Sequence, residues 1–194
     1  MIQKIVDRIV DRQVENRTIG QEDINIYKYG YFLLFEVLIN LIISLMIGVV
    51  FHDIKTVVLF FVLYIPLRTY SGGWHADRLW KCTFISNLIL VIAEVISNYC
   101  IEYIPVIYCV PLMILFGIYI LVVSPVDTES KPLENDEIKS YNKKVKIISF
   151  LHSIVLILFI FFQNRKGIII IEYVYMIQAM MLVIEKTNKN VEKY

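Results

Sequence analysis

One histidine and one cysteine stand seven residues apart in Arg68-Thr69-Tyr70-Ser71-Gly72-Gly73-Trp74-His75-Ala76-Asp77-Arg78-Leu79-Trp80-Lys81-Cys82, a polar, glycine-broken segment between two apolar ones. A cysteine attacks as thiolate, and an imidazole, which titrates near neutral pH, can hold or accept its proton. Cys82 follows Arg78 and Lys81 and opens an apolar stretch. Nearby positive charge and a helix N-terminal turn both favour the thiolate. On one straight helix, however, a seven-residue separation puts two side chains ~10 Å apart along the axis. Contact between His75 and Cys82 therefore requires a break. Gly72-Gly73 supplies one, letting His75 fold over the start of a helix that begins near Ala76 or Asp77. Cysteine side chains also lean towards a helix N-terminus, which shortens the gap. The non-catalytic alternative is an interfacial loop in which Trp74, His75 and Trp80 anchor at headgroup level. Spacing alone leaves both readings open.

Neighbouring groups could complete such a site. Arg68 and Ser71 could bind an acyl oxyanion or substrate carboxylates, with the amides of Gly72 and Gly73 as alternative donors. Asp77 could orient His75 or cap the helix that follows. His75, Asp77 and Cys82 are also three conceivable metal ligands. The remaining histidines, His52 and His152, fall elsewhere, no C-x-x-C or H-x-x-x-H cluster occurs, and neither a metal nor a cofactor is expected. Cys100 and Cys109 lie in or beside apolar stretches, where a thiol packs as a small hydrophobe. A disulfide between them is conceivable, but no disulfide framework is evident.

The elements that must position these residues are set by composition. Of 194 residues 58% are hydrophobic and 19% charged, so the chain reads as an integral membrane protein. The formal net charge of +1 gives no case for a nucleic-acid partner. Six apolar stretches are marked: Gly30–Val50, Thr56–Leu67, Thr83–Cys100, Ile104–Val123, Ile147–Phe162 and Gly167–Ile184. Most approach the ~20 residues of a spanning helix, whereas Thr56–Leu67 is short and contains Pro66 near its end. It is expected to reach full length by continuing towards Tyr70 or by local thinning of the bilayer. Lys and Arg concentrate on the cytoplasmic side, which discriminates between topologies. Six spans with the N-terminus inside put sixteen of the nineteen Lys and Arg in cytoplasmic segments, against twelve to seven if Thr56–Leu67 does not span. The preferred topology places both termini, the His75/Cys82 segment and the loop Ser124–Lys146 on the cytoplasmic face.

Before the first span, Ile2, Ile5, Val6, Ile9 and Val10 recur at helical spacing, with Lys4, Asp7, Arg8, Asp11, Arg12 and Glu15 on the other face. This predicts a helix lying in the membrane interface, as an anchor or as a docking surface for another amphipathic helix; no signal peptide is expected. The fold expected is thus all-α and polytopic, six transmembrane helices preceded by an amphipathic interfacial helix. Residues 1–194 form one integral membrane domain, with a cytoplasmic-face segment (1–28), a membrane core (30–184) and a cytoplasmic tail (185–194). Glu36, Asn40, Asn87 and Glu94 fall within spans, where polar groups face protein or water; they are read as interhelical contacts lining a substrate cavity or a dimer contact.

The run Arg68…Gly72-Gly73-x-His75-Ala76…Cys82, followed by Pro125 and Lys131-Pro132 in a second cytoplasmic loop, resembles the AgrB family, the membrane endopeptidases of Gram-positive peptide quorum sensing. Length, amphipathic N-terminus and hydropathy match along essentially the whole chain. The resemblance implies a multi-pass protein of the bacterial cell membrane, working as a homodimer on an AgrD-type precursor peptide whose amphipathic leader lies on the lipid surface. It implies that Cys82 is the nucleophile and His75 the general base, and that an acyl thioester on Cys82 is displaced by an internal cysteine or serine to close a thiolactone or lactone. Pro125 and Lys131 are implied as site-supporting residues, and Asp127 and Glu129 share their loop. Two rival functions are a small peptide transporter or export component, which would tolerate loss of Cys82, and a non-catalytic scaffold, which would fail on loss of residues 1–17.

Overall fold

In the computed structural model the described residues are 2–16, 18–74, 79–126 and 134–191. They form seven α-helices: α1 (Ile2–Glu15), α2 (Ile24–Val50), α3 (Ile54–Ser71), α4 (Leu79–Val95), α5 (Val106–Val123), α6 (Asn135–Phe161) and α7 (Arg165–Val191). One 3-10 turn precedes α2, and a π-helical turn, Ile96–Cys100, extends α4. Six helices are long and apolar enough to cross a membrane, and the chain is a multi-pass membrane protein. His75, Ala76, Asp77, Arg78 and residues 127–133, with Asp127, Glu129 and Lys131, lie outside the described residues.

The short second stretch spans by growing at both ends. Asp53 caps α3, accepting from the Thr56 N–H at 3.2 Å and the Thr56 hydroxyl at 2.8 Å. The helix then runs through Pro66 to Ser71, eighteen residues in all. At 1.5 Å per residue that is about 27 Å, enough for a hydrocarbon core. Pro66 leaves the Val62 carbonyl without its helical donor, a break that spanning helices tolerate, and past it Thr69 and Ser71 donate to the carbonyls of Ile65 and Leu67 at 2.8 and 2.6 Å.

Other helices overrun their apolar stretches. α2 starts at Ile24, inside the segment expected to lie on the membrane face, because its first turns dock on α1. Val6 and Val10 of α1 are buried there against Tyr31 and Phe35, and Lys28 pairs with Asp7 at 2.7 Å. The amphipathic helix thus places Val6 and Val10 of its apolar face against protein, while Ile5 stays exposed. α6 begins at Asn135, twelve residues before the apolar stretch, because Glu134 and Glu137 form a capping box. That extension packs on the end of α3, with Tyr70 and Tyr141 edge to face at 5.4 Å and the Lys144 ammonium 4.6 Å above the Tyr70 ring. α7 continues through the expected tail to Val191.

α7 is the hub. Ile168–Ile171, Val174 and Leu182 are buried, and it packs along α5 and against α3 and α6. α2 is peripheral, holding α1, α3 and α4 while exposing Leu34, Val37, Ile42 and Met46 outwards. Such a face suits lipid rather than water. At the end of the bundle remote from Cys82, Lys166 of α7 binds Asp53 at 2.5 Å and Asn98 at 3.1 Å, tying α7 to α3 and the π-helical turn. Cys82, Cys100 and Cys109 are all free thiols.

Candidate active site

The segment between α3 and α4 is built around one guanidinium. Gly72 ends α3, its N–H donating to the Arg68 carbonyl at 3.2 Å, and both Gly72 (φ 75°) and Gly73 (φ 116°) take the left-handed side of backbone space. The chain thereby doubles back, and the carbonyls of Gly72, Gly73 and Trp74 converge on Arg68. Its guanidinium donates to Gly72 O at 2.7 Å, to Gly73 O at 3.2 Å and also to Trp74 O. Five N–H donors in a planar fork make arginine suited to several acceptors at once. Glycine is required twice over: a Cβ on Gly72 would overlap the Val126 carbonyl oxygen, and one on Gly73 would overlap the Arg68 guanidinium.

Two further elements lock this turn from behind. Gln178 of α7, fully buried, donates through Nε2 to the Ser71 hydroxyl at 2.7 Å and to Gly72 O at 2.8 Å, while the Trp74 N–H donates to Met181 O at 3.1 Å. From the segment after α5, the Val126 N–H donates to Ser71 O at 3.0 Å, and Gly72 and Val126 form the one isolated parallel bridge among the described residues. The two loops expected on one face therefore meet. Pro125, half-buried, immediately precedes this contact.

Arg68 and Ser71 thus have partners within the protein, whatever they meet in a substrate. The Ser71 hydroxyl is buried, donating to Leu67 O and accepting from Gln178, and three of the five Arg68 N–H donors meet backbone carbonyls. The Gly72 amide is engaged, whereas the Gly73 amide has no partner among the described residues. His75 and Asp77 follow directly after the turn in sequence. Gln178 and Met181 were not anticipated. The legible signal for Gln178 is an amide in an otherwise apolar span, the same signal that marks Asn40 and Asn87.

Cys82 is half-buried on the first described turn of α4. The groups that act electrostatically on its thiol are Glu36 of α2, the Ser86 hydroxyl one turn further on and Arg68 of α3. The side chain that grips the Gly72–Trp74 turn therefore also lies within electrostatic reach of the thiol. Beside Cys82, α2 and α4 are stitched by amides and hydroxyls. Asn87 donates to Asn40 Oδ1 at 2.9 Å, Ser44 donates to Asn87 Oδ1 at 3.3 Å, and Asn40 donates to the Thr83 hydroxyl at 3.4 Å. Next to this ladder an apolar groove of about 680 Å³ opens sideways, bordered by Glu36 and Thr83. A half-buried thiol at a helix start, within electrostatic reach of Arg68, can act as a nucleophile once deprotonated.

Comparison with known proteins gives a consistent picture. The sequence profile described as Accessory gene regulator B matches residues 2–183. An AgrB-like protein of Clostridium perfringens (strain 13) is 27% identical over 173 residues, 84% of this chain and 80% of its own. Protein FsrB of Enterococcus faecalis is 29% identical over 156 residues, and the match spans 80% of this chain but 62% of the relative. An AgrB-like protein of Lactiplantibacillus plantarum is 22% identical over 151 residues, 78% of this chain and 75% of its own. No solved structure matches the chain.

Proposed function

Because the chain belongs to the accessory gene regulator B family, associated with quorum-sensing peptide processing, we propose that it is a membrane cysteine endopeptidase that cuts an AgrD-type precursor and leaves its product cyclised. Cys82 thiolate attacks the carbonyl at the end of the future signal. His75 takes the thiol proton beforehand and passes it to the amine of the departing C-terminal tail. The acyl group remains on Cys82 as a thioester. An internal thiol or hydroxyl of the peptide then attacks that carbonyl and expels Cys82 thiolate, closing a thiolactone or lactone. Thioester exchange is nearly balanced in energy, so the step competes with hydrolysis only where water is held back. A site at the mouth of a spanning helix beside an apolar groove favours cyclisation.

The observation that carries this reading is Arg68, which grips the turn leading towards His75 in sequence and lies within electrostatic reach of Cys82. In this scheme Arg68 fixes the turn, Gln178 braces it, and the Gly73 amide is the donor available to the oxyanion. We further propose that the catalytic segment and both termini face the cytoplasm, as the distribution of Lys and Arg favours, and that the protein acts as a homodimer. The test is reconstitution in lipid nanodiscs with the cognate precursor. A thiol-labile acyl adduct on Cys82 should be seen by mass spectrometry, and cleavage that persists in Cys82→Ala would sink the mechanism.

A further inference from the structure

The lateral groove beside Cys82 is walled by Phe32, Glu36 and Ile39 of α2 and by Trp80, Thr83 and Phe84 of α4. Its wall is apolar except at Glu36, Thr83 and, deeper, Asn87. Asn87 and Thr83 are engaged with Asn40, but the Glu36 carboxylate, half-buried, has no hydrogen-bond or ion-pair partner among the described residues. A carboxylate bordering an apolar groove is costly unless something brings it a donor.

Resting on the acyl-transfer reading above, we infer that this groove receives the peptide substrate, as an apolar segment carrying one basic side chain that pairs with Glu36 close to the bond presented to Cys82. Three observations point there. First, Glu36 of the groove wall acts electrostatically on the Cys82 thiol, and Thr83 of the same wall follows Cys82 on the first turn of α4, so a segment seated in the groove lies at the level of the nucleophile along the helix. Second, the groove has an approach from the interface. A smaller cleft of about 200 Å³ between α1 and α2, bordered by Val6, Asp7 and Lys28, shares Phe32 with it. A peptide lying along the membrane surface beside α1 can pass from one to the other without leaving the interface. Third, charge selects among occupants. A lipid chain brings no partner for Glu36. A second copy docked two-fold through this same face would bring its own Glu36 towards the first, a like-charge contact. A basic side chain on an apolar peptide satisfies the carboxylate and fills the groove.

The test uses the full chain with Cys82→Ala in nanodiscs, so that binding is read without turnover. Three synthetic peptides of Leu, Ile and Phe, differing only in a central Lys, Gln or Glu, are added at equal bilayer loading, and photoreactive benzoylphenylalanine replaces Phe84 to report what occupies the groove. The Lys peptide should be labelled at least ~10-fold more than the Gln peptide and the Glu peptide least, a tenfold ratio being one pairing of about 1.4 kcal/mol. In Glu36→Gln the preference should fall below about two-fold. Equal labelling of all three peptides, a Lys preference that survives Glu36→Gln, or label found only on lipid or on a second copy would overturn the inference. Because cleavage is not the readout, a Lys preference in a protein whose Cys82-intact form cuts nothing supports the groove and counts against the protease.

Discussion

Replacing Arg68 by lysine separates two ways in which this cation could serve the site. If its charge met substrate carboxylates or an oxyanion, lysine would keep much of the effect. As a fork joining three carbonyls, it cannot be replaced by an ammonium. Arg68 holds Gly72 O, Gly73 O and Trp74 O, and lysine at this position can retain about one of those bonds. Hydrogen bonds to a charged group contribute about 1.5–3 kcal/mol each, so losing two removes ~3–6 kcal/mol before rehydration of the freed carbonyls. Arg68 is half-exposed, and water recovers part of that, which leaves about 2–4 kcal/mol against the productive turn. At 1.4 kcal/mol per tenfold, kcat/KM for the precursor should fall roughly 30- to 700-fold in Arg68→Lys. The assay is precursor cleavage in nanodiscs, with the thermal melt and size-exclusion profile run alongside. The six-helix bundle itself should survive, since the lost bonds all lie within one turn. An Arg68→Lys protein that keeps more than half the wild-type kcat/KM would refute the clamp and favour a purely electrostatic role.

Two further outcomes follow from other parts of the fold. Gly72→Ala should lower cleavage at least ~5- to 150-fold, the range set by ~1–3 kcal/mol of backbone strain alone, because Gly72 sits at φ 75° with the Val126 carbonyl against it; kinetics indistinguishable from wild type would mean the turn is not needed in this form. Burial pushes the Asp53 carboxyl up, but the hydrogen bonds from Lys166 and Thr56 outweigh it and hold it below its ordinary value of 3.8. A depressed folded value means stability that is fully present above the unfolded pKa and lost as pH falls through the folded one. The nanodisc melting temperature should therefore be flat with respect to this group from pH 7 to about 5 and drop below about pH 4. That acid limb should be smaller in Asp53→Asn, and equal acid limbs in the two proteins would remove the Asp53–Lys166 tie from the account.

The chain by itself determined the membrane class, the number of spans and the segment where chemistry is concentrated. Those are properties of local composition: an apolar run of about 20 residues must cross as helix wherever its neighbours lie, because no water is present to satisfy its backbone. Even the short stretch before Pro66 was legible, since a segment with polar flanks can gain length only by extending at its ends, and α3 does so from Ile54 to Ser71. The glycine pair before His75 likewise announced a break in the helix. Tertiary structure decided what the polar residues around that break are engaged with. Arg68 and Ser71 look in sequence like donors awaiting a substrate, yet their partners are carbonyls of their own turn and an amide over a hundred residues away, Gln178. No local pattern encodes that pairing, because it exists only once α7 has packed through the middle of the bundle. Asn40 and Asn87 were recognisable as polar groups within spans, but only the packing of α2 on α4 joined them and left Glu36 bordering a groove beside Cys82. Helices follow from the apolar runs of the chain, whereas the choice of partner for each buried donor follows from which faces the bundle brings together.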